Sequence, residues 1–149
     1  MAQLTGLNNK VAVITGGSQG LGAATANLFA ERGAKGLVLC GRQTAKGLAV
    51  AESIQRQYPA CKVHFVTADL AEIDAPQHII NAAQEHFGQL DILINVAGLS
   101  ERGTILDTSP ELFDRIMNIN VRAPFFLIQA AAKLMRSTGN DGSIAVSYT

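Results

Sequence analysis

Residues 11–14 form an unbroken apolar run, and Thr15-Gly16-Gly17-Ser18-Gln19-Gly20-Leu21-Gly22 follows it and leads into a helical pattern. Gly16 permits a tight turn out of a strand. Gly20 lets the backbone approach a ligand with no Cβ in the way, and Gly22 lets the helix pack closely on the strand. A helix starting there offers free N–H groups and the positive end of its dipole to a phosphate, and Ser18 adds a hydroxyl donor. With a strand before and a helix after, the turn has the context that gives it meaning.

Beyond the turn, two kinds of segment alternate. The β-rich runs are 10–15, 36–40, 62–67, 91–95 and 143–146. Between them, Leu21, Ala24 and Leu28 share one helical face, Leu48, Ala51, Ile54 and Tyr58 a second, and Ile80, Ala83 and Phe87 a third. The longest helical pattern covers about 110–136, with Leu112, Ile116, Ala123, Leu127, Ala130 and Leu134 inward. Ser109 is its N-cap and Pro110 its first residue. Such alternation implies parallel strands joined by right-handed crossovers. Runs 11–14 and 92–94 lack polar alternation, as strands covered on both faces do. The expected fold is an α/β, doubly wound parallel sheet of the Rossmann type, a single domain over 1–149. Five of the usual strands are expected, with the C-terminal strands missing. Some other doubly wound α/β domain is the alternative.

The composition excludes several classes. At 149 residues, 48% hydrophobic and 16% charged, the chain is suited to one cored domain and not to disorder. Twelve basic and twelve acidic residues cancel, so nothing draws nucleic acid or anionic lipid. No apolar run approaches the roughly 20 residues of a membrane span, and the first ten residues do not read as a secretory signal. Cys40 and Cys61 are placed at opposite ends of neighbouring strands, too far apart to bridge, so a cytoplasmic setting is expected. No metal site is expected.

In doubly wound sheets the ligand lies beyond the carboxyl ends of the strands. After the second run comes Cys40-Gly41-Arg42. An acidic residue there would accept from a ribose 2′-hydroxyl, whereas the Arg42 guanidinium suits a 2′-phosphate. NADP is therefore expected in preference to NAD, with NAD still possible; a solvated Arg42 at a helix start is the plain alternative. Gln19 weakens the case, since a second cation in the turn would have helped. After the third run comes Ala68-Asp69-Leu70, where Asp69 either accepts from an adenine amino group or caps the next turn. After the fourth comes Asn95-Val96-Ala97-Gly98. Its small residues allow close passage of a cofactor, and the Asn95 amide is expected to tie adjacent strands together. A methyltransferase also opens with a glycine-rich loop, but it predicts an acidic residue where Gly41-Arg42 stands.

These residues resemble the N-terminal portion of the classical short-chain dehydrogenase/reductase family. Thr15-Gly16-x-x-x-Gly20-x-Gly22, Asp69, Asn95-x-Ala97-Gly98 and Asn118-Ile119-Asn120-Val121 match in order and spacing over nearly the whole chain. Val96 departs, since the family usually has a second Asn there. The resemblance implies hydride transfer between a nicotinamide and a small carbonyl or alcohol substrate. It further implies a Tyr as general acid or base, a Lys that lowers the Tyr pKa, a Ser that polarises the substrate, and an Asn in a proton relay. By position that Asn is Asn120. Pro124 lies four residues on and has no N–H for the Asn120 carbonyl, so a kink and a free carbonyl are expected there. In this family the long helix commonly packs across a subunit interface, so a homo-oligomer is implied at full length.

No Tyr-x-x-x-Lys pair is expected to serve the site. Tyr148 has nothing four residues beyond it, and Tyr58 is assigned to a helix on the wrong side of the sheet, with no Lys expected at the right spacing. Counting about seven positions from Gly142 for the family's Ser reaches Thr149, with Ser147 two positions early, so the role is open between them. Residues 99–108, with Glu101 and Arg102, are a candidate wall of the substrate pocket or simply solvated. The chain by itself is expected to bind cofactor at best and to be inactive. A non-catalytic dinucleotide-binding module is the alternative function.

Overall fold

The computed structural model describes residues 6–147, so the expectations placed on Tyr148 and Thr149 lie outside the described residues. Five parallel strands form one sheet: β1 (Val11–Thr15), β2 (Gly36–Gly41), β3 (Lys62–Thr67), β4 (Ile92–Asn95) and β5 (Ser143–Val146), in the order β3-β2-β1-β4-β5. The chain winds outward from β1 through β2 to β3, then crosses back to β4 and β5 on the other side. The reversal between β1 and β4 is where a doubly wound sheet opens a crevice at its carboxyl edge. The first and fourth strands begin one residue later than expected, and β2 continues to Gly41. Lys10 and Asp91 stay outside the ladder, and the Asp91 carboxylate accepts from the Val11 N–H at 2.9 Å. Burial alone would raise this carboxyl, but hydrogen bonds from Val11, Gln89 and Lys10 outweigh it and hold it below the ordinary value.

Successive strand residues point to opposite faces, and each face has its own apolar core. Ala12, Ile14, Leu37 and Leu39 meet α1 (Gly20–Glu31) and α2 (Thr44–Gln57). Val13, Val38 and Leu93 meet α3 (Ala75–Phe87) and α5 (Ala123–Ser137). The strands β1 and β2 are buried on both sides, as their unalternating sequences require. Cys40 and Cys61 are free, buried and at opposite ends of the β2–β3 pair.

Two helical faces differ from expectation for one reason. On α1 the buried side is Gly22, Ala26 and Ala30, while Leu21 and Leu28 are nearly half exposed and Ala24 is exposed. On α2, Gly47 is buried and Leu48 is exposed. A Cβ at Gly47 would meet the Phe65 ring at 2.1 Å. Along α1, and at the start of α2, the helix lies so close to the sheet that only small side chains fit between, whereas farther along α2 the larger Ile54 is buried.

The long helix is not continuous. It comprises α4 (Pro110–Met117), a π-helical turn (Asn118–Arg122) and α5. Ser109 caps α4 as expected, its hydroxyl accepting from the Leu112 N–H at 3.2 Å. No residue of α4 is buried, and Leu112 and Ile116 are only half covered, unlike Leu127, Ala130 and Leu134 farther along. Where a kink at Pro124 is expected, the helix widens by one residue, and the Ala123 N–H donates to the Asn118 carbonyl. A proline ring crowds the carbonyl four residues back, and a wider turn relieves that contact.

Candidate functional site

A cleft of about 300 Å³ opens beyond the carboxyl ends of β1, β2, β3 and β4. Every residue expected at a cofactor lines it except Asn95, and lies on the turn from β1 to α1 or on the loops after β2, β3 and β4. The glycines take the conformations the sequence demands. Gly16 and Gly20 have φ of +68° and +53°, and a Cβ on Gly22 would lie 2.2 Å from the Gly16 carbonyl oxygen. That close approach joins the helix to the turn itself rather than to the strand. Gln19, the N-cap residue of α1, makes no side-chain cap, so no capping side chain occupies the donors of the first turn.

Thr15 holds the turn to the far wall. Its buried hydroxyl oxygen accepts from the N–H groups of Val96 and Ala97, each at 3.1 Å, where the amide of Asn95 is expected to make the tie. Asn95 does not make it. It is 2% exposed, and neither amide atom meets a hydrogen-bond partner among the described residues. Its place is beneath the cleft, not in it. Cys40 closes the floor. Burial pushes its thiol up to about 12, against a hydrogen bond from the Gly16 backbone, so it is a neutral filler and not a nucleophile.

On the β2 side, Ser18 lies over Gly41, where a Cβ would come within 3.1 Å of its hydroxyl oxygen. Arg42 is exposed at the cleft and makes no ion pair among the described residues. The adjacent first turn of α2 also lacks a side-chain cap at Gln43, which leaves its donors open beside Arg42. On the β3 side, Asp69 caps its own turn: Oδ1 accepts from the Ala71 N–H at 2.9 Å.

Asn120 locks onto the loop after β4. Its Oδ1 accepts from the Leu99 N–H and its Nδ2 donates to the Leu99 carbonyl, both at 2.8 Å. Next to it is a hollow of about 90 Å³, lined by Leu99, Asn120, Pro124 and Ser147. Of the two residues open for the Ser role, Ser147 is therefore at this hollow. Glu101 pairs with Arg115 at 3.1 Å, and neither Glu101 nor Arg102 lines the cleft or the hollow.

The sequence does carry a Tyr-x-x-x-Lys spacing once, at Tyr58 and Lys62, contrary to the expectation that it holds no such pair. Tyr58 ends α2 and Lys62 opens β3, paired with Gly36 at the amino edge of the sheet. The pair is at the opposite pole from the cleft, so it has the spacing without the position. Sequence reasoning also passed over Thr15 as a tie and Ile119 as cleft lining. Thr15 was legible as a buried polar residue ending an apolar strand.

Comparisons with known proteins agree with this fold. The family model described as short chain dehydrogenase matches residues 10–147. A short-chain dehydrogenase/reductase, FrzI, of Cladobotryum is 40% identical over 125 residues, 84% of this chain and 48% of that protein. A 3alpha-hydroxysteroid dehydrogenase of Mediterraneibacter gnavus is 38% identical over 133 residues, 89% of this chain and 53% of that one. L-sorbose reductase from Gluconobacter frateurii, solved with NADPH and L-sorbose, superposes with a TM-score of 0.89 at 32% identity, covering 95% of this chain and 53% of that one. The chain thus spans about half the length of the curated relatives it matches.

Proposed function

The chain belongs to the short-chain dehydrogenase family, and on that premise we propose that it is the cofactor-holding part of an NAD(P)-dependent oxidoreductase acting on a small carbonyl or alcohol. One observation carries this reading: the glycine turn, the small residues after β4 and Arg42, which has no ion pair among the described residues, line a single cleft at the switch point of the sheet. The residues fit a dinucleotide. The open N–H groups of α1 and the Cβ-free surface of Gly20 receive the pyrophosphate, Asp69 and Leu70 the adenine end, and Ala97 and Gly98 the nicotinamide side. The bound nicotinamide supplies or accepts a hydride. The chain's own contribution is to hold the loop after β4 through Thr15 and Asn120, and to present Ser147 and the backbone around Asn120 beside the hollow.

Arg42 and the open first turn of α2 favour NADP over NAD, because a 2′-phosphate answers both. In Arg42→Ala the NADPH affinity is expected to fall about tenfold or more, with NADH affinity nearly unchanged. Titrations by cofactor fluorescence measure this, and an undiminished NADPH preference would refute the role of Arg42.

A second reading is a dinucleotide-binding module without catalysis. Asn120 does not separate the two, since a clamp on Leu99 serves a binder as well as an enzyme. Turnover of a carbonyl substrate by the full-length protein does.

Phe113, Met117, Val121 and Phe125 form an exposed stripe at every fourth position along α4, the π turn and α5, with Phe113 at 57% and Phe125 at 60%. We assign this stripe to a second copy of the chain. The full-length protein is expected to sediment as a dimer or tetramer and Phe125→Glu to shift it toward monomer; a monomeric parent contradicts the assignment. No helix among the described residues is long and apolar enough to cross a membrane, and the two free, buried cysteines suit a reducing, cytoplasmic setting.

A further inference from the structure

We infer that Arg122 is a positioning residue for the adenine side of the cleft, holding the loop after β3 through the Ala71 carbonyl; the inference rests on the dinucleotide reading above. The loop from Ala68 onward is irregular, and its first three residues line the cleft. Its shape depends on one peptide. The Ala71 N–H donates to the Asp69 carboxylate at 2.9 Å, and the Glu72 N–H donates to the Asp69 carbonyl at 3.0 Å. These bonds fold the loop on itself but do not attach it to the body of the domain. The start of the loop is tied to β2 by the Ala68 N–H, which donates to the Gly41 carbonyl at 3.0 Å, and Leu70 is buried in the core. Beyond Leu70, the loop is held by Arg122, whose guanidinium Nη2 donates to the Ala71 carbonyl. Arg122 is half-buried, and no carboxylate pairs with it among the described residues, so this carbonyl is the protein partner its charge has.

The place of Arg122 gives the contact its reach. It ends the π-helical turn in which Asn120 locks Leu99, and Ile119 of the same turn lines the cleft. One short turn therefore grips the loop after β3 with Arg122 and the loop after β4 with Asn120. The Asp69 carboxylate is oriented by Ala71, and Ala71 is placed by Arg122. A methylene chain without donors at position 122 keeps the packing of the turn and releases only the β3 loop.

The test compares ligand halves in the full-length protein. Binding of NADPH, 2′,5′-ADP and reduced nicotinamide mononucleotide is measured for the parent, Arg122→Met and Arg122→Lys. Hydrogen exchange is followed over residues 68–74 and 96–100. Arg122→Met is expected to weaken NADPH and 2′,5′-ADP by about tenfold and leave the mononucleotide unchanged, since a charged donor to one carbonyl is lost. Exchange should quicken over 68–74 only, and Arg122→Lys should restore most of both properties. Equal weakening of both halves, or faster exchange over both segments, would show a general structural role and overturn the inference. So would a variant that binds 2′,5′-ADP as the parent does. If Arg122→Met does not fold, Arg122→Gln, whose donor stops short of Ala71, carries the same comparison. A parent that binds neither half overturns the dinucleotide reading and this inference together, whereas a parent that binds both halves equally well in all variants overturns this inference alone.

Discussion

Gly22→Ala is expected to weaken NADPH binding by about a hundredfold while leaving a folded but less stable protein. The added methyl would lie 2.2 Å from the Gly16 carbonyl oxygen and 2.6 Å from its carbon. Both are backbone atoms, so no side-chain rotation relieves the contact. Either α1 is pushed off the turn or the turn is flattened, and in both cases the N–H groups of the first helical turn no longer converge with Gly20 on one anion position. Overpacking of this kind costs about 2–3 kcal/mol, a fall of several degrees in Tm. The affinity loss is expected to be larger, on the order of a hundredfold, because a misplaced anion site loses several charge-assisted hydrogen bonds together. Ala24→Ser, on the exposed side of the same helix, should change neither property. Binding within about threefold of the parent in Gly22→Ala would mean the cleft does not receive a phosphate at this turn.

Asn120→Ala is the second large effect. It removes both bonds to Leu99 and leaves that residue's N–H and carbonyl without the amide that answers them. The net stability cost is about 1–3 kcal/mol. The consequence for chemistry is greater, because the loop after β4 forms the wall shared by the cleft and the hollow beside Ser147. A displacement of about 1 Å at such a wall can lower turnover on the order of a hundredfold. Steady-state kinetics of the full-length protein should show that fall chiefly in kcat. Turnover equal to the parent's would contradict any role for the clamp.

The order of elements was readable because each β-rich run is bounded by turn residues, and the runs buried on both sides show no alternation. The residues that line the cleft were readable because strand ends in such a sheet converge. What failed to show in the sequence depends on close contact across long separations. The Gly22–Ala26–Ala30 face of α1 is invisible to a search for large apolar residues, since its function is to be small. Asn95 reads as a tie between strands, yet Thr15 makes that tie across 81 residues of sequence. Pro124 signals a disturbance in the long helix, but its form, a wider turn whose Asn120 and Arg122 grip the loops after β4 and β3, rests on contacts across long separations. Tyr58 and Lys62 show the converse: a spacing that matches a motif means nothing at the wrong edge of the sheet.

The most direct test of the account is a titration of the folded protein with NADPH, NADH and S-adenosylmethionine, read by the fluorescence of the reduced cofactors and by calorimetry. Saturable binding of NADPH, weaker binding of NADH and none of S-adenosylmethionine is the predicted result. Binding of S-adenosylmethionine, or of no nucleotide at all, would contradict it.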